Sequence, residues 1–162
     1  YGARNLTVSA TDQPAITATN FQQLFRSAGS IVSGVGNFDL SSVTSLLFAF
    51  YSARRFNEDL SNWDVSNVTS FSYCFERTKI DQSFAQWDMT SATIAVRMFR
   101  GQTLSVPNYD ATLVAWASQS LNNNVSIDFG NSQYSGSNLA VVNARDTLIE
   151  NYSWTIVDGG PA

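Results

Sequence analysis

Three aspartates recur at near-constant spacing, and each is followed two positions later by a hydroxyl residue: Asp39 and Ser41, Asp64 and Ser66, Asp88 and Thr90. If these copies lie side by side as neighbouring strands, their carboxylates stand about 4.8 Å apart and repel each other by roughly 0.9 kcal/mol in water. Backbone amides in the turn after each strand could offset that repulsion, with each aspartate acting as a local cap. A bound calcium ion, which favours several carboxylate oxygens, is the alternative. We favour capping, because the aspartate ladder follows from the repeat itself.

Catalytic chemistry is hard to build from this composition. The chain contains no histidine, which removes Ser-His-Asp and Cys-His nucleophiles and histidine-ligated zinc. Two aspartates on adjacent strands approach the separation of about 5 Å found in retaining glycosidases, but repetition on every copy indicates a structural device. Gly34-Val35-Gly36 lacks the pattern and the lysine of a phosphate-binding loop. The sequence therefore predicts that the protein is not an enzyme and has neither catalytic residues nor a dedicated metal site.

Positive charge is concentrated in one part of the chain. Six of the nine lysines and arginines are Arg54, Arg55, Arg77, Lys79, Arg97 and Arg100. Arg54 and Lys79 are 25 residues apart, which would place them on adjacent copies of the repeat. Such a ridge could bind an anionic glycan, a sulfate or an acidic partner, and its candidate residues are Arg54, Arg77, Lys79, Arg97 and Arg100. Acidic residues are interleaved, so a solvated face of mixed charge is the competing interpretation.

Composition narrows the class of protein. The net charge of −4 argues against a general nucleic-acid binder, which would carry a basic face. No apolar run approaches the roughly 20 residues needed to span a bilayer, so we expect no membrane insertion. Only 14% of residues are charged, well below the usual quarter, and we interpret the hydroxyl-rich remainder as an extracellular surface. Cys74 is the only cysteine and is expected to be a buried, small apolar residue.

The elements that must position these residues come from a repeat. Three rows have the same pattern and each ends in phenylalanine at the same distance: 38–50, 63–75 and 87–99. Their offsets are 25 and then 24 residues, and a fixed period in this range is typical of stacked supersecondary units with one continuous core. We therefore predict an α/β fold, a short leucine-rich-repeat-like solenoid with parallel strands and short helices.

Each copy is expected to contain a strand, a turn, a short helix and a return loop. Alternation as in Trp63 and Val65 indicates a half-buried strand, and pairs four apart such as Phe71 and Phe75 indicate one face of a helix. Stacking the copies aligns four apolar ladders, which we predict as the core: Phe38/Trp63/Trp87, Leu40/Val65/Met89, Val43/Val68/Ala92 and Phe50/Phe75/Phe99.

The ends of the chain differ from the repeat. We predict a single domain in which 1–29 form a partial first coil, 30–104 the repeat coils and 105–158 a carboxy-terminal α/β cap, with 159–162 as a linker stub. In the first coil, 3–9 would supply the outermost strand and 21–25 the helix. In the cap we expect helices from Pro107 and over 137–150, and strands at 125–129 and 154–157. The chain begins at Tyr1 rather than methionine, so we expect a piece of a longer protein.

The stretch 56–71, Phe-Asn-Glu-Asp-Leu-Ser-Asn-Trp-Asp-Val-Ser-Asn-Val-Thr-Ser-Phe, closely resembles the repeat of BspA-like leucine-rich-repeat surface proteins. The segments 108–113 and 144–160 are also similar to the region on the carboxy-terminal side of these repeats in that family. The first and third rows depart from the motif, with Phe38 in place of tryptophan and Ala92-Thr93-Ile94 in place of Val-Thr. The resemblance implies a bacterial cell-surface or secreted protein that adheres to proteins, glycans or other cells.

These observations predict a ligand-recognition or adhesion module of a larger surface protein. Its partner would be a surface protein, peptide or glycan of a host or a neighbouring cell, and the isolated domain would be monomeric. The first candidate site is the exposed strand face, with Asp39, Ser41, Asp64, Ser66, Asp88 and Thr90. The basic ridge is the alternative site for an anionic glycan, and a structural spacer without a ligand is the alternative function.

Overall fold

The computed structural model of the protein describes residues 21–28 and 34–162, so the strand expected at 3–9 lies outside the described residues. Four regular elements come after the repeat rows: helix α1 (Val106–Ala117), strand β1 (Ser126–Asp128), helix α2 (Leu139–Glu150) and strand β2 (Thr155–Val157). Strands β1 and β2 pair in parallel, with Ile127 opposite Ile156, and the two helices contact each other. The two helices and two strands expected between 105 and 158 are all present. Helix α1 begins one residue earlier than expected, and the other three elements are slightly shorter.

Backbone hydrogen bonds join each copy of the repeat to the next. The Phe48 amide donates to Ser72 O at 3.1 Å and the Phe50 amide to Cys74 O at 2.9 Å. Parallel bridges continue in register from Ser45 to Ser70 and from Ser70 to Ile94. Donor and acceptor are 23 to 25 residues apart along these ladders, so matching residues of successive copies lie side by side.

The stretches expected to be short helices at 46–50, 71–75 and 95–99 are series of tight turns. Within the first, Ala49 N donates to Leu46 O at 3.0 Å and Ala53 N to Phe50 O at 2.9 Å. Between them, the amides of Phe50 and Ser52 donate to the next copy, and the amide of Tyr51 donates to Phe48 O three residues back. None donates to a carbonyl four residues back, as an α-helix requires. Apolar residues four apart fit both arrangements, so their spacing could not distinguish a helix from stacked turns.

Left-handed backbone conformations recur at matching positions of these turns. The first set has φ between 57 and 59° and comprises Gln23, Phe48, Tyr73 and Arg97, and the second, four residues later, comprises Ser27, Ser52, Arg77 and Gly101. Non-glycine residues pay roughly 1–2 kcal/mol for this conformation. The hydrogen bonds between copies offset that cost, since the amides of Ser27, Ser52 and Arg77 donate to the following copy.

Glycine at Ser52 is expected to raise the free energy of unfolding by about 0.5–1 kcal/mol. Ser52 has φ of 61°, and glycine adopts this conformation without the clash of a Cβ atom, which outweighs its greater entropy in the unfolded chain. Urea unfolding of Ser52→Gly measures the change. The matched control is Ser42→Gly, an exposed position outside the left-handed set, which is expected to lose stability. Equal loss at both positions would contradict the strain argument.

All four predicted apolar ladders lie in the core, where their side chains are 0–9% exposed. Cys74 is fully buried, and burial raises the pKa of its thiol well above the ordinary value, which confirms the prediction for this residue. Four tryptophans each donate the indole N–H to a carbonyl 27 to 32 residues earlier in the chain. The four bonds are Trp63 to Val35 O, Trp87 to Leu60 O, Trp116 to Phe84 O and Trp154 to Asn122 O, at 2.8–3.0 Å.

Residues 105–158 continue the same stack with longer turns. Phe99 N donates to Asp128 O at 2.9 Å, and Phe129 N donates to Val157 O at 2.7 Å. Strand β1 therefore covers the last repeat row, and β2 covers β1. The final residues, expected to be a linker stub, are paired as well, because Tyr134 N donates to Gly160 O and Ala162 N to Tyr134 O.

The start of helix α1 differs from expectation. The helix is expected from Pro107, but it begins at Val106 with Ser105 as the N-cap, and the Ser105 side chain makes no capping bond. Instead, Asp81 Oδ1 in the preceding copy accepts from Ser105 N at 2.8 Å and from Asn108 Nδ2 at 2.9 Å. Burial opposes ionisation of Asp81, but these hydrogen bonds together lower the pKa of its carboxyl.

Candidate functional site

Four of the five candidate basic residues line a surface groove made of two adjoining depressions. Its first part has a volume of about 410 Å³ and is lined by Arg54, Arg77, Thr78, Lys79 and Gly101. Its second part has a volume of about 360 Å³ and is lined by Glu76, Arg77, Arg100, Gly101, Asp128, Gly130, Asn131 and Val157. Arg77 and Gly101 belong to both parts. We call the two depressions together the basic groove.

The repeat explains why the groove is open at this place. Ser52, Arg77 and Gly101 occupy matching left-handed positions on three successive copies. Gly101 has no side chain, and a Cβ atom there would first meet Arg77 Cγ at 3.8 Å. The long Arg77 side chain therefore borders an unfilled position on the next copy, and the two parts of the groove meet there.

The groove carries net positive charge in a chain whose net charge is −4. Arg54, Arg77, Lys79 and Arg100 are exposed, so their charged groups are available to a ligand. Two carboxylates also line it: Glu76, which is buried, and Asp128, whose Oδ1 accepts from Gly130 N at 2.8 Å. Several arginines facing one concave surface provide bidentate donors for carboxylate, sulfate or phosphate groups.

The fifth basic candidate, Arg97, does not line the groove. Its guanidinium lies over the Tyr73 ring at 5.3 Å from the centroid. Its Nε is 3.4 Å from Glu76 Oε2, and its side chain is only 35% exposed. Tyr73 in turn stacks on Phe48 with centroids 4.5 Å apart, so Arg97 ends a column of side chains beside the groove.

The aspartate ladder is engaged in local turns. Asp39, Asp64 and Asp88 each accept through Oδ1 from the backbone amide two residues later, at 2.9–3.0 Å. The hydroxyls of Ser66 and Thr90 donate to the same oxygens at 2.6 Å. Hydrogen bonds from the hydroxyl and the amide of Ser41 lower the pKa of the Asp39 carboxyl. This is the capping arrangement expected from the repeat.

Part of the strand face nevertheless forms a small polar depression. Its volume is about 180 Å³, and its lining brings together two of the six strand-face candidates, Asp39 and Asp64, with Asn37 and Asn62. Ser41, Ser66, Asp88 and Thr90 do not line it. Within residues 21–28 and 34–162, no three acidic, cysteine or histidine side chains are grouped so that they could hold a metal ion, and the ladder thus offers calcium no such group.

Two glutamates that sequence reasoning missed have unusual surroundings. The Glu58 carboxylate accepts from three consecutive amides: Gly34 N at 2.6 Å, Val35 N at 3.0 Å and Gly36 N at 3.2 Å. Glu76 is 2% exposed and lines the basic groove. Glu58 lies in the lead-in to the repeat motif, and Glu76 comes directly after its last phenylalanine, but neither position indicates what the carboxylate contacts.

None of the helices in the described part of the chain is long and apolar enough to cross a membrane. Searches against curated proteins and against solved structures found no match. A family model, described as "Mycoplasma protein of unknown function, DUF285", matches residues 12–140. That range holds every repeat row and most of the groove lining. The chain therefore belongs to this DUF285 family of Mycoplasma proteins of unknown function.

Proposed function

We propose that this protein is a non-enzymatic recognition module that binds an anionic ligand in the basic groove. The observation that carries the proposal is the convergence of Arg54, Arg77, Lys79 and Arg100, from three successive turns of the chain, on one concave surface. An adhesion module needs an extended surface with many weak contacts, and stacked repeats provide one. This choice replaces the strand face as the first candidate site, because the strand-face aspartates already accept local hydrogen bonds.

We further propose that the chain is a short solenoid of the BspA-like leucine-rich-repeat kind, within a larger bacterial cell-surface or secreted protein. The ladders of hydrogen bonds between residues about 24 apart support the solenoid. The repeat motif at 56–71 supports the BspA-like relationship, and the low content of charged residues supports an extracellular location. The partner would then be a surface glycan or protein with anionic groups.

Replacing Arg77 and Lys79 together with alanine is expected to weaken binding of a sulfated oligosaccharide by about tenfold to a hundredfold. Each lost hydrogen bond to a charged group is worth about 1.5–3 kcal/mol when it is fully made, and less at an exposed site. Binding is measured by calorimetry at two salt concentrations, since screening should weaken groove binding steeply. Arg55→Ala is the matched control, because Arg55 is exposed but does not line the groove.

The outcomes of this experiment separate three functions. Equal loss in the double variant and in Arg55→Ala would contradict the groove as a specific site. The depression between Asp39 and Asp64 supports the strand face as a second candidate, and binding that survives in the groove variant but is lost in an Asp64→Asn, Ser66→Ala variant would assign recognition there. An absence of binding to anionic and neutral glycans and to surface extracts would favour a structural spacer.

A further inference from the structure

The basic groove is long compared with a single anion. Its lining comes from five segments of the chain, which are paired in order by backbone hydrogen bonds at or beside the lining residues. The bonds are Ser52 N to Glu76 O at 2.8 Å, Arg77 N to Arg100 O at 3.2 Å, Asn131 N to Gln102 O at 3.0 Å and Phe129 N to Val157 O at 2.7 Å. Paired segments are about 4.8 Å apart, so these four steps give the groove a length of about 19 Å. The groove therefore has room for several units of a chain molecule.

The positive charges of the groove are spread along this length and have few partners in the protein. Arg54, Arg77 and Lys79 line the first part, and Arg100 lines the second. Among the described residues, Arg54, Lys79 and Arg100 form no ion pair. Arg77 has only a 4.0 Å contact with Glu76. Exposed cations that are unpaired and spread over several copies favour a ligand with several anionic groups over a ligand with one.

The backbone of the groove offers little to a peptide. A peptide that adds to a protein as a strand needs open main-chain N–H and C=O groups. Within the described lining, six amides already donate to other atoms of the protein, those of Arg77, Thr78, Lys79, Arg100, Gly130 and Asn131. Recognition in the groove therefore depends on side chains, which suits a ligand that presents pendant groups.

A nucleic acid also fits the groove poorly. Single-stranded nucleic acids bind through aromatic side chains on which bases stack, in addition to basic residues, and in the described part of the chain no aromatic side chain lines either depression. Asp128 lies in the second part, where a chain of closely spaced phosphates would bring negative charge beside it. A sugar chain avoids this repulsion, because each unit carries hydroxyls as well as anionic groups, and a hydroxyl can face Asp128 and Asn131.

We propose that the basic groove binds an anionic polysaccharide lengthwise, with different sugar units of one chain at Arg54 and at Arg100. This inference rests on the proposed function, and it narrows the anionic ligand to a polymeric glycan and gives the direction in which it lies. Arg54 and Lys79 hold anionic groups in the first part, and Arg100 holds one in the second. Hydroxyls of the unit beside Arg100 face Asp128 and Asn131. Because each exposed contact is weak, affinity depends on several contacts being made at once.

The test measures the binding of chondroitin sulfate oligosaccharides, from the disaccharide to the octasaccharide, by calorimetry at several salt concentrations. Affinity is expected to rise by about tenfold or more over this series, because only a long ligand reaches both ends of the groove. For the octasaccharide, the logarithm of the affinity should fall against the logarithm of the salt concentration with a slope of about −3, as for four neutralised charges on a single-stranded polyanion. Inorganic sulfate should bind weakly and with a much shallower slope.

Two variants at the ends of the basic stretch test the lengthwise orientation. Arg54→Gln and Arg100→Gln are each expected to weaken octasaccharide binding by about threefold to tenfold and to make the slope shallower by about 0.7. Arg55→Gln is the matched control, because Arg55 is the exposed sequence neighbour of Arg54 and lines neither depression. It removes the same charge and should change the affinity by less than about twofold.

The outcomes separate this inference from the proposed function. If the disaccharide binds as tightly as the octasaccharide, or if only one of the two end variants weakens binding, the polysaccharide inference is overturned while the groove stands as a site for a single anion. Equal or tighter binding of an oligoglutamate or an oligodeoxythymidine of the same charge would overturn it in favour of an acidic peptide or a nucleic acid. Failure of the Arg77 and Lys79 double variant to affect any of these anions would instead overturn the groove itself.

Discussion

Replacing Asp158 with alanine is expected to lower the free energy of unfolding by about 3–5 kcal/mol. Asp158 has a side chain only 4% exposed, and it joins the end of β2 to both helices. Its Oδ2 accepts from Tyr109 OH at 2.8 Å and from Arg145 Nε at 2.9 Å, and its Oδ1 accepts from Arg145 Nη2 at 3.3 Å. Removing the carboxylate leaves a largely buried guanidinium and a buried hydroxyl without their partner.

The pKa shifts of Tyr109 and Arg145 reflect their contacts with Asp158. Burial, followed by the charge of Asp158, raises the pKa of Tyr109. Burial alone would lower the pKa of Arg145, but the hydrogen bond and the charge of Asp158 raise it. Arg145 also lies over the Tyr134 ring at 5.2 Å, so the cluster connects α2 with the segment that comes after β1.

Urea unfolding measures the Asp158→Ala effect. Asp146→Ala is the control, because Asp146 is an exposed aspartate on α2 and its loss should change stability by less than about 0.5 kcal/mol. A loss below about 1 kcal/mol at Asp158 would show that the cluster does not hold the carboxy-terminal turns in place.

Replacing Trp87 with alanine is expected to cost about 3–5 kcal/mol. Trp87 is 1% exposed, packs edge-on against Phe84 at 4.8 Å and lies parallel to Trp63 at 6.2 Å. Its indole also donates to Leu60 O at 3.0 Å. The substitution therefore removes both a large core volume and the hydrogen bond that ties this layer to the one before it.

A phenylalanine variant separates the two contributions. Trp87→Phe retains most of the apolar contact but removes the indole donor of the Leu60 carbonyl. Because that carbonyl still accepts from Trp63 N at 3.1 Å, the lost hydrogen bond costs about 0.5–1.5 kcal/mol. Leu139→Ala is the control, because Leu139 is 73% exposed and should be nearly neutral. Thermal and urea unfolding report the series, and a Phe variant as unstable as the Ala variant would mean that the hydrogen bond dominates over packing.

Several features of the fold could be predicted from local pattern. The 25- and 24-residue offsets aligned residues such as Trp63 and Trp87, and both are in the core as expected. Helix α2 is consistent with its apolar spacing, with Asn138 as the N-cap whose side chain accepts from Ala140 N. These features depend on residues that are close in sequence or related by one fixed period, so they can be predicted from the sequence alone.

The tight turns of the repeat could not be predicted in the same way. Spacing four apart suited a helix, whereas the amides of Phe48 and Phe50 donate to the next copy. A bulky residue such as Phe48 in a left-handed conformation is unfavourable by itself. Only stacking on the neighbouring copy offsets that cost. The conformational preferences of the individual residues therefore do not predict these turns.

Some features of the candidate site could likewise be predicted from the sequence, and others could not. The sequence by itself determined the period, the apolar ladders and the placement of Arg54 and Lys79 on adjacent copies, because repetition in sequence becomes repetition in space. Tertiary structure alone decided that Glu76 is buried, that Arg97 turns away over Tyr73 and that Arg100 joins Arg77 at one groove. Burial and charge at those positions depend on the meeting of three segments, including residues 128–131 beyond the repeat. The free energy of a buried polar group is set by all of its neighbours together, so no one segment determines it.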